Sequence, residues 1–479
     1  MGISYSPARL PSYFATVKPT MPDSRPAVSP ARAAAFDILF RIERESSYAS
    51  ELLHSRTYDS LTIADHSLAT ELVMGVLRWR SLLDSEIAKS SSQPISKLDL
   101  EILIALRLAL YQIRWLDRVP ARAAINESVE LAKRARKRSA APFVNAVLRK
   151  LASGVQTTAE EPQVAIDYTS VETLAASGAH PRWLVERWAQ AYGLDAAFRI
   201  CRHNQSVPAT AIRLRRPGGE DKLRAEGIEF ARGSVLASAR RVLKGDIARS
   251  AALREGYCVV QDEASQLVGA LVGSGVNILD CCAAPGGKTL AIADRNPHAT
   301  ITAVELHAHR ARLLQKLLSV RNLSDNTDAR IRVVGADAQY LPFAREFDRV
   351  LADVPCSGTG TLSRNPEIKW RLKLEDLSEL QARQVAILRS AMTRVTAGGR
   401  LVYSTCSLER EENEEVIERC LAKDSSFRII ECRIELERLR QEGQLIWPDI
   451  SSLTNGPCLR TLQGVHPCDG FFAAILEKG

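Results

Sequence analysis

The chain has 479 residues, of which 46% are hydrophobic and 25% are charged, and its formal net charge is +8. This is the composition of an ordinary globular protein, and no apolar run approaches the roughly 18 residues that a membrane-spanning helix needs. The length predicts about two to four domains, and the positive charge favours, modestly, an anionic partner such as nucleic acid.

Ten cysteines and eight histidines are scattered along the chain. They form no Cys-x-x-Cys pair and no cluster with the spacing of zinc ligands. We therefore predict no metal site, and reduced cysteines in a cytoplasmic protein. No repeat or heptad pattern indicates self-association, so a monomer is the default expectation.

The first 28 residues contain several prolines and serines and no apolar segment typical of a secretory signal. We expect residues 1–28 to be a disordered tail, with an over-extended start site or an organelle transit peptide left open as alternatives.

Residues 29–155 have the pattern of a helical domain, because apolar residues such as Leu68, Leu72 and Val76 recur at helical spacing. Between its last two predicted helices, every residue of 133–138 except Ala135 is basic. Such a run is either a solvated face or a contact with an RNA backbone, and the sequence leaves both open.

A linker is expected over 152–180, where Gly, Ser, Thr and Glu are frequent. Pro181 then opens a predicted helix that contains Trp188, and residues 211–216 alternate apolar and basic side chains, which indicates a strand with one charged face. We interpret 161–250 as a small α+β domain.

From residue 251 to the end, apolar strand-like runs alternate with helical segments, which predicts a mostly parallel, doubly wound α/β sheet of the Rossmann-like class. Ligands of such sheets bind at the carboxyl ends of the strands. The predicted strands lie at 276–279, 301–304, 331–334, 348–352 and 400–404, and the main helices at 308–320 and 376–395.

After the first of these strands comes a loop of small residues, 281–287. A phosphate-binding loop would require glycine where Cys282 stands, and a G-x-G-x-x-G pattern is absent. The remaining common ligand is S-adenosylmethionine, for which Glu305 could bind ribose hydroxyls and Asp337 an adenine amino group. Either carboxylate could instead be a solvated strand-end residue.

Two cysteines, Cys356 and Cys406, follow the fourth and fifth predicted strands in polar loops. A structural cysteine is expected inside an apolar run, whereas a strand-end cysteine can ionise and act as a nucleophile.

Residues 280–288, 353–360 and 403–407 together resemble the RNA 5-methylcytosine methyltransferases of the Sun family. Segments 261–265, 364–366 and 469–472 agree with the same family. Segments 124–129 and 143–148 are similar to the NusB-like RNA-binding domain that is fused to the N-terminus in its bacterial RsmB subgroup. The resemblance covers about 31–479, and its domains would be a NusB-like domain at 29–155, the small domain at 161–250 and the methyltransferase domain at 251–479.

The resemblance implies methylation of carbon 5 of a cytosine in 16S ribosomal RNA, with S-adenosylmethionine as cofactor. Cys406 would be the nucleophile that adds to carbon 6, Cys356 would assist release of the adduct, and Asp353 would contact the flipped base or the methionyl end of the cofactor. Lys288 could also meet substrate. The implied cofactor-binding residues are Cys282, Ala283, Ala284, Pro285, Gly286, Gly287, Lys288, Glu305, Asp337 and Asp353.

Two departures and three alternatives accompany this hypothesis. The family often has aspartate at the position of Glu305, and the tail has no counterpart. The same chemistry could act on transfer RNA or another RNA, or the chain could be a non-catalytic RNA-binding factor for ribosome assembly. A DNA cytosine methyltransferase would instead use Cys356 as its nucleophile.

Overall fold

A computed structural model describes residues 28–45, 47–154, 165–321 and 330–479. Except for Val28, the tail predicted at 1–28 lies outside these ranges, as do residues 155–164 of the predicted linker.

The N-terminal part is all-helical, as predicted. The apolar residues at helical spacing pack together, and Leu72, Val76 and Leu108 are buried in one core. Thr62 begins the longest helix by accepting a hydrogen bond from the Asp65 N–H, which satisfies one of the unpaired donors of the first turn. The helices are α1 (Pro30–Glu45), α2 (Ala49–Leu53), α3 (Ile63–Ser90), α4 (Leu100–Trp115), α5 (Ala121–Arg134) and α6 (Ala141–Gly154).

The linker predicted over 152–180 is wrong in its second half, because it contains helix α7 (Val171–Ser177). Ser170 and Thr173 form a capping box there, so the polar residues that suggested a loop begin a helix instead. Helices α8 (Arg182–Tyr192) and α9 (Leu194–Asn204) follow. Together the three helices bury Trp188 against side chains of the C-terminal domain.

A small antiparallel sheet comes next, in the strand order β2-β3-β1-β4. Its elements are β1 (Ala211–Leu214), α10 (Gly219–Ala225), β2 (Glu229–Arg232), β3 (Ala239–Lys244), α11 (Ala251–Arg254) and β4 (Cys258–Val260). Since β4 pairs with β1, this unit extends beyond the boundary expected at residue 250. The basic face of β1 is buried, with Arg213 and Arg215 each 2.7 Å from Asp294 of the next domain.

The C-terminal domain contains the Rossmann-like sheet that was predicted. Strands β5 to β9 are parallel in the order β7-β6-β5-β8-β9. The elements are α12 (Glu263–Leu271), β5 (Asn277–Asp280), α13 (Gly287–Arg295), β6 (Thr300–Glu305), α14 (Ala308–Arg321), β7 (Arg330–Gly335), β8 (Phe347–Asp353), α15 (Ile368–Arg371), α16 (Asp376–Met392), β9 (Val395–Thr405), α17 (Glu414–Leu421), β10 (Phe427–Ile430), α18 (Cys432–Gln441), β11 (Thr454–Asn455), β12 (Cys458–Thr461) and β13 (Phe471–Lys478).

The last strands add an antiparallel half to this sheet that the alternation pattern did not predict. Strand β13 pairs with β9 on one side and with β12 on the other. The edge of the sheet beyond Cys406 is therefore covered by the C-terminal part of the chain.

Residues 363–371, which we call the interdomain segment, join the helical domain to the C-terminal domain. Lys369 is 1% exposed, and its ammonium donates to the carbonyls of Arg78 and Ala179, at 2.8 Å each. The Trp370 indole donates to the Leu77 carbonyl at 2.6 Å. These bonds fix the middle of α3 beside the C-terminal domain.

Candidate active site

The loop 281–287 lies between β5 and α13, as predicted. Gly286 has a φ of 108°, and a Cβ at this position would lie 2.7 Å from the Leu314 side chain, so the turn requires glycine. Asp280 is buried and accepts a hydrogen bond from the Thr289 hydroxyl at 2.7 Å. Burial raises the pKa of Asp280 to about 6.

Two carboxylates follow the neighbouring strands on the same edge of the sheet. Glu305 ends β6 and accepts from the His307 N–H at 2.9 Å. Asp337 follows β7 and accepts from the Gln339 N–H at 2.9 Å. Both side chains are therefore held by their own loops at the carboxyl ends of parallel strands, where ligands of such sheets bind.

A polar chain crosses from the loop to the next strands. The Lys288 ammonium lies 2.7 Å from Asp353 Oδ2, and the Ser404 hydroxyl donates to Asp353 Oδ1 at 2.7 Å. Burial by itself lowers the pKa of Lys288, but the charge and hydrogen bond of Asp353 more than offset it and raise that pKa above its usual value. Lys288 therefore faces the site as a paired cation.

The two cysteines that the sequence analysis named as candidate catalytic residues lie side by side. Cys356 Sγ and Cys406 Sγ are 3.4 Å apart, because β8 and β9 are adjacent and parallel. The hydrogen bond to Cys406 and burial raise the pKa of Cys356 well above its usual value. An electrostatic interaction with Cys406 contributes to the raised pKa of Lys288, so the Cys406 side chain and the Lys288 ammonium lie near each other.

Glu412 is a residue of this site that the sequence did not reveal. Its side chain is fully buried, and the hydroxyls of Ser357 and Ser407, the residues that follow the two cysteines, both donate to its Oε2. The Ser357 N–H and the Gln384 amide donate to Oε1, at 2.8 Å each. One carboxylate thus holds both cysteine loops. A signal for it existed in the acidic run that follows Cys406, which resembles a solvated surface.

The segments 261–265, 364–366 and 469–472, which also agree with the family, lie next to one another. The Arg364 guanidinium donates to Asp469 at 2.8 Å and to Asp262 at 3.2 Å. Burial, with a further contribution from Asp262, raises the pKa of Asp469 to about 7. This network holds the start of α12, the interdomain segment and the start of β13 together behind the cysteine loops.

The basic run 133–138 lies at the end of α5, remote in sequence from the strand ends. Lys133 pairs with Glu130 at 2.6 Å and Lys137 with Asp99 at 2.8 Å, whereas Arg136 and Arg138 are exposed. The question of an RNA contact there stays a prediction.

None of the described helices combines the length and apolar character that crossing a lipid bilayer requires. In that same part of the chain, no group of three or more His, Cys, Asp or Glu side chains is arranged to hold a metal ion.

Comparisons with known proteins agree with this architecture. A family model described as 16S rRNA methyltransferase RsmB/F matches residues 273–477, and a NusB family model matches residues 29–153. A probable ribosomal RNA small subunit methyltransferase B of Bacillus subtilis is 34% identical over 460 residues, which cover 93% of this chain and 98% of the relative.

Two further matches cover nearly the whole chain. A ribosomal RNA small subunit methyltransferase B of Pseudomonas syringae is 32% identical, over 95% of this chain and 97% of the relative. A crystal structure of a protein designated PH0851 has a TM-score of 0.74 at 24% identity, and the match covers 94% of this chain and 98% of that one. The match to PH0851 shows that the two proteins share a fold.

Proposed function

The chain belongs to the RsmB/F family of 16S rRNA methyltransferases, and from this premise we propose that it transfers a methyl group from S-adenosylmethionine to carbon 5 of a cytosine in 16S ribosomal RNA. The observation that carries the proposal is the pair of thiols, 3.4 Å apart, at the ends of two adjacent parallel strands. The reaction would take place in the cytoplasm, with the chain acting as a monomer on RNA.

The residues at the strand ends fit S-adenosylmethionine, which supplies a methyl group on a positively charged sulfur when it is bound. The small side chains of 282–287 leave the backbone open to close approach by a ligand. The carboxylates of Glu305 and Asp337 offer acceptors for hydroxyl and amino groups. The carboxylate of Asp353, beside the cysteines, favours the positive charge at the reacting end.

In the proposed reaction, a cysteine activates carbon 5 of the cytosine. Carbon 5 of cytosine is too weak a nucleophile to take a methyl group directly. When the Cys406 thiolate forms a bond to carbon 6, the ring electron pair moves to carbon 5, which can then accept the methyl group. Loss of the carbon 5 proton returns a pair to the ring, the carbon–sulfur bond breaks, and Cys406 leaves as a thiolate.

The electrostatics support different roles for the two thiols. Because the pKa of Cys356 is raised well above its usual value, Cys356 stays protonated at neutral pH and can donate its S–H to Cys406. Asp353 would accept a hydrogen bond from a protonated cytosine ring nitrogen, which would make carbon 6 more open to attack.

Bisulfite sequencing of total RNA from a deletion strain tests the proposal. We expect one 5-methylcytosine of 16S RNA to disappear in the deletion strain, to return with the wild-type gene and to stay absent with Cys406→Ala. An unchanged 16S pattern with a lost transfer-RNA site would assign the chemistry to another RNA. Full complementation of the growth phenotype by Cys406→Ala would favour a non-catalytic assembly factor.

The assignment of the two cysteines has its own test. With purified protein, S-adenosylmethionine and 16S RNA, Cys356→Ala should accumulate a denaturant-resistant protein–RNA complex, visible as a shifted band on a denaturing gel. Cys406→Ala should form none. The reverse result would mean that Cys356 is the nucleophile, as in DNA cytosine methyltransferases.

A further inference from the structure

A pocket of about 290 Å³ opens beside Cys356, where the helical domain meets the C-terminal domain. Tyr48, from the connection between α1 and α2, forms part of its wall together with Cys356, Ser357, Ile368 and residues of α16. The helical domain therefore contributes a side chain to a cavity that reaches one of the two reactive thiols.

The backbone on both sides of Tyr48 is held by the interdomain segment. The Ala49 N–H donates to the buried Glu367 carboxylate at 2.9 Å, and the Arg371 guanidinium donates to the Ser47 carbonyl. Tyr48 as a residue is 45% exposed, and the Arg371 guanidinium lies 5.9 Å from the centroid of its ring. The ring is thus positioned by its neighbours while part of its surface stays open.

We propose that this pocket binds the base of a nucleotide next to the target cytosine in the RNA, stacked on the ring of Tyr48; the inference rests on the proposed function. Exposed aromatic rings are the usual platforms for unpaired bases. The charged residues of the wall are Arg371, Arg383, Asp376 and Glu379. Two positive and two negative side chains give a lining without net charge, which suits an uncharged base with donors and acceptors better than a phosphate.

The occupant is a neighbour of the target base because of which residues line the pocket. The target cytosine must reach Cys406 and Asp353, and neither is among the described residues of this wall. Cys356 is part of the wall, and its Sγ lies 3.4 Å from Cys406 Sγ, so the pocket lies next to the expected position of the target base. A base extruded toward Cys406 leaves its neighbours unstacked, and Tyr48 offers one of them a replacement surface.

The experiment measures methyl transfer by the full chain from labelled S-adenosylmethionine to a 16S RNA fragment that contains the mapped cytosine. Tyr48→Ala should raise KM for the RNA about tenfold, the size of a lost base–aromatic contact, with KM for S-adenosylmethionine unchanged. Tyr48→Phe keeps the ring and should stay within about twofold of wild type. Ile63→Ala, which truncates an exposed apolar side chain of the same domain, is the matched control.

A second experiment distinguishes stacking on Tyr48 from a structural role of this residue. It compares two RNA fragments with the same protein, so the result does not depend on how well a variant folds. Fragments with an abasic nucleotide at each position flanking the target are tested with wild-type protein. At one flanking position, the abasic fragment should be methylated by the wild type about tenfold less efficiently than the intact fragment. Tyr48→Ala should methylate these two fragments equally well. Equal losses for both proteins at every position would overturn the proposal, as would wild-type behaviour of Tyr48→Ala.

Different results would contradict the proposed function and the proposed base-binding pocket. A wild-type chain that methylates no RNA removes the proposed function and the subsite with it. A wild-type chain that methylates the cytosine, with no effect of Tyr48→Ala, removes the subsite alone.

Discussion

The strand-end site and the interdomain segment hold their residues by different means. Cys356 and Cys406 are brought together by two strands that are consecutive in the sheet, so the backbone pairing of β8 with β9 sets their distance. Lys369 is placed by its own ammonium, which binds carbonyls from elements far away in sequence. The two thiols of the proposed reaction are thus positioned by the sheet, whereas the arrangement of the domains depends on a few buried side chains. Substitutions in the two regions should therefore have different consequences.

The largest effect on stability is expected at Lys369. Lys369→Met keeps the aliphatic stem and removes one of the two donors to the buried carbonyls of Arg78 and Ala179, the other being the Gln205 amide. This loss should lower the free energy of unfolding by about 2 kcal/mol. Thermal unfolding and the rate of limited trypsin cleavage between the domains measure this. Lys373→Met, at a nearby exposed lysine, should change neither. Wild-type stability of Lys369→Met would mean that the sheet alone fixes the domains.

Glu412 should show the opposite pattern, because it acts on the reacting groups. Glu412→Gln weakens the bonds to Ser357 and Ser407, and we expect kcat to fall about tenfold while KM for RNA stays constant. The pH profile of kcat should also shift, because the charge behind the cysteine loops is lost. Glu418→Gln, on the exposed side of α17, serves as control. A rise in KM with constant kcat would contradict this positioning role.

Asp469 links the two regions through Arg364 and gives a pH-dependent test. Its pKa is about 7 in the folded chain against a usual 3.8, so the folded state takes up a proton in this range. The free energy of unfolding should fall as pH rises from about 4 to 7, by at most about 1.4 kcal/mol per pH unit. Asp469→Asn should make the slope less steep, most clearly between pH 6 and 7, because Asp280, with a pKa of about 6, contributes mainly below that range. Unfolding midpoints between pH 5 and 8 measure it, with Asp221→Asn, at an exposed aspartate, as control; parallel curves for wild type and Asp469→Asn would refute the assignment.

The smallest effect is expected at the basic run, which belongs to neither region. Arg136→Ala and Arg138→Ala should each reduce the salt dependence of RNA binding, by about 0.7 in the slope of log affinity against log salt. Filter binding over a range of salt concentrations measures the slope. Lys133→Ala, at a residue that is paired with Glu130, should change it less. Unchanged slopes would make the run a solvated face.

The side chains at the strand ends could be predicted because two features of the sequence are enough to find them. These are the spacing of the apolar residues and the position of a residue directly after a strand. Apolar runs locate β5 to β9 in the sequence. Because ligands meet the carboxyl ends of parallel strands, the positions just after these runs indicate Glu305, Asp337, Asp353 and the two cysteines. The roles given to these residues remain proposals. Their convergence is a property of the backbone, which the pattern of apolar residues encodes.

The remaining features depended on partners that are distant in sequence. The basic face of β1 is a pattern typical of a solvent-facing strand, but Asp294 lies opposite Arg213 and Arg215 and buries it. The polar segment that begins α7 resembles a loop until Ser170 and Thr173 are seen to cap each other. Glu412 and Lys369 are charged residues inside the protein, and no periodicity predicts which charged residue will be buried.

Strand β13 has a consequence for the order in which the protein becomes active. It follows the other described elements along the chain, yet it lies between β9 and β12 and covers the edge next to Cys406. The Gly470 N–H donates to the Gly360 carbonyl at 2.8 Å, and the Gly360 N–H donates to the Cys406 carbonyl at 2.9 Å. A nascent chain without residues 470–478 would leave β9 as an open edge and would lack the bond from Gly470 to the loop that contacts Cys406. We therefore expect the thiol to reach its working geometry only after translation has passed this strand, so that partial products remain chemically silent.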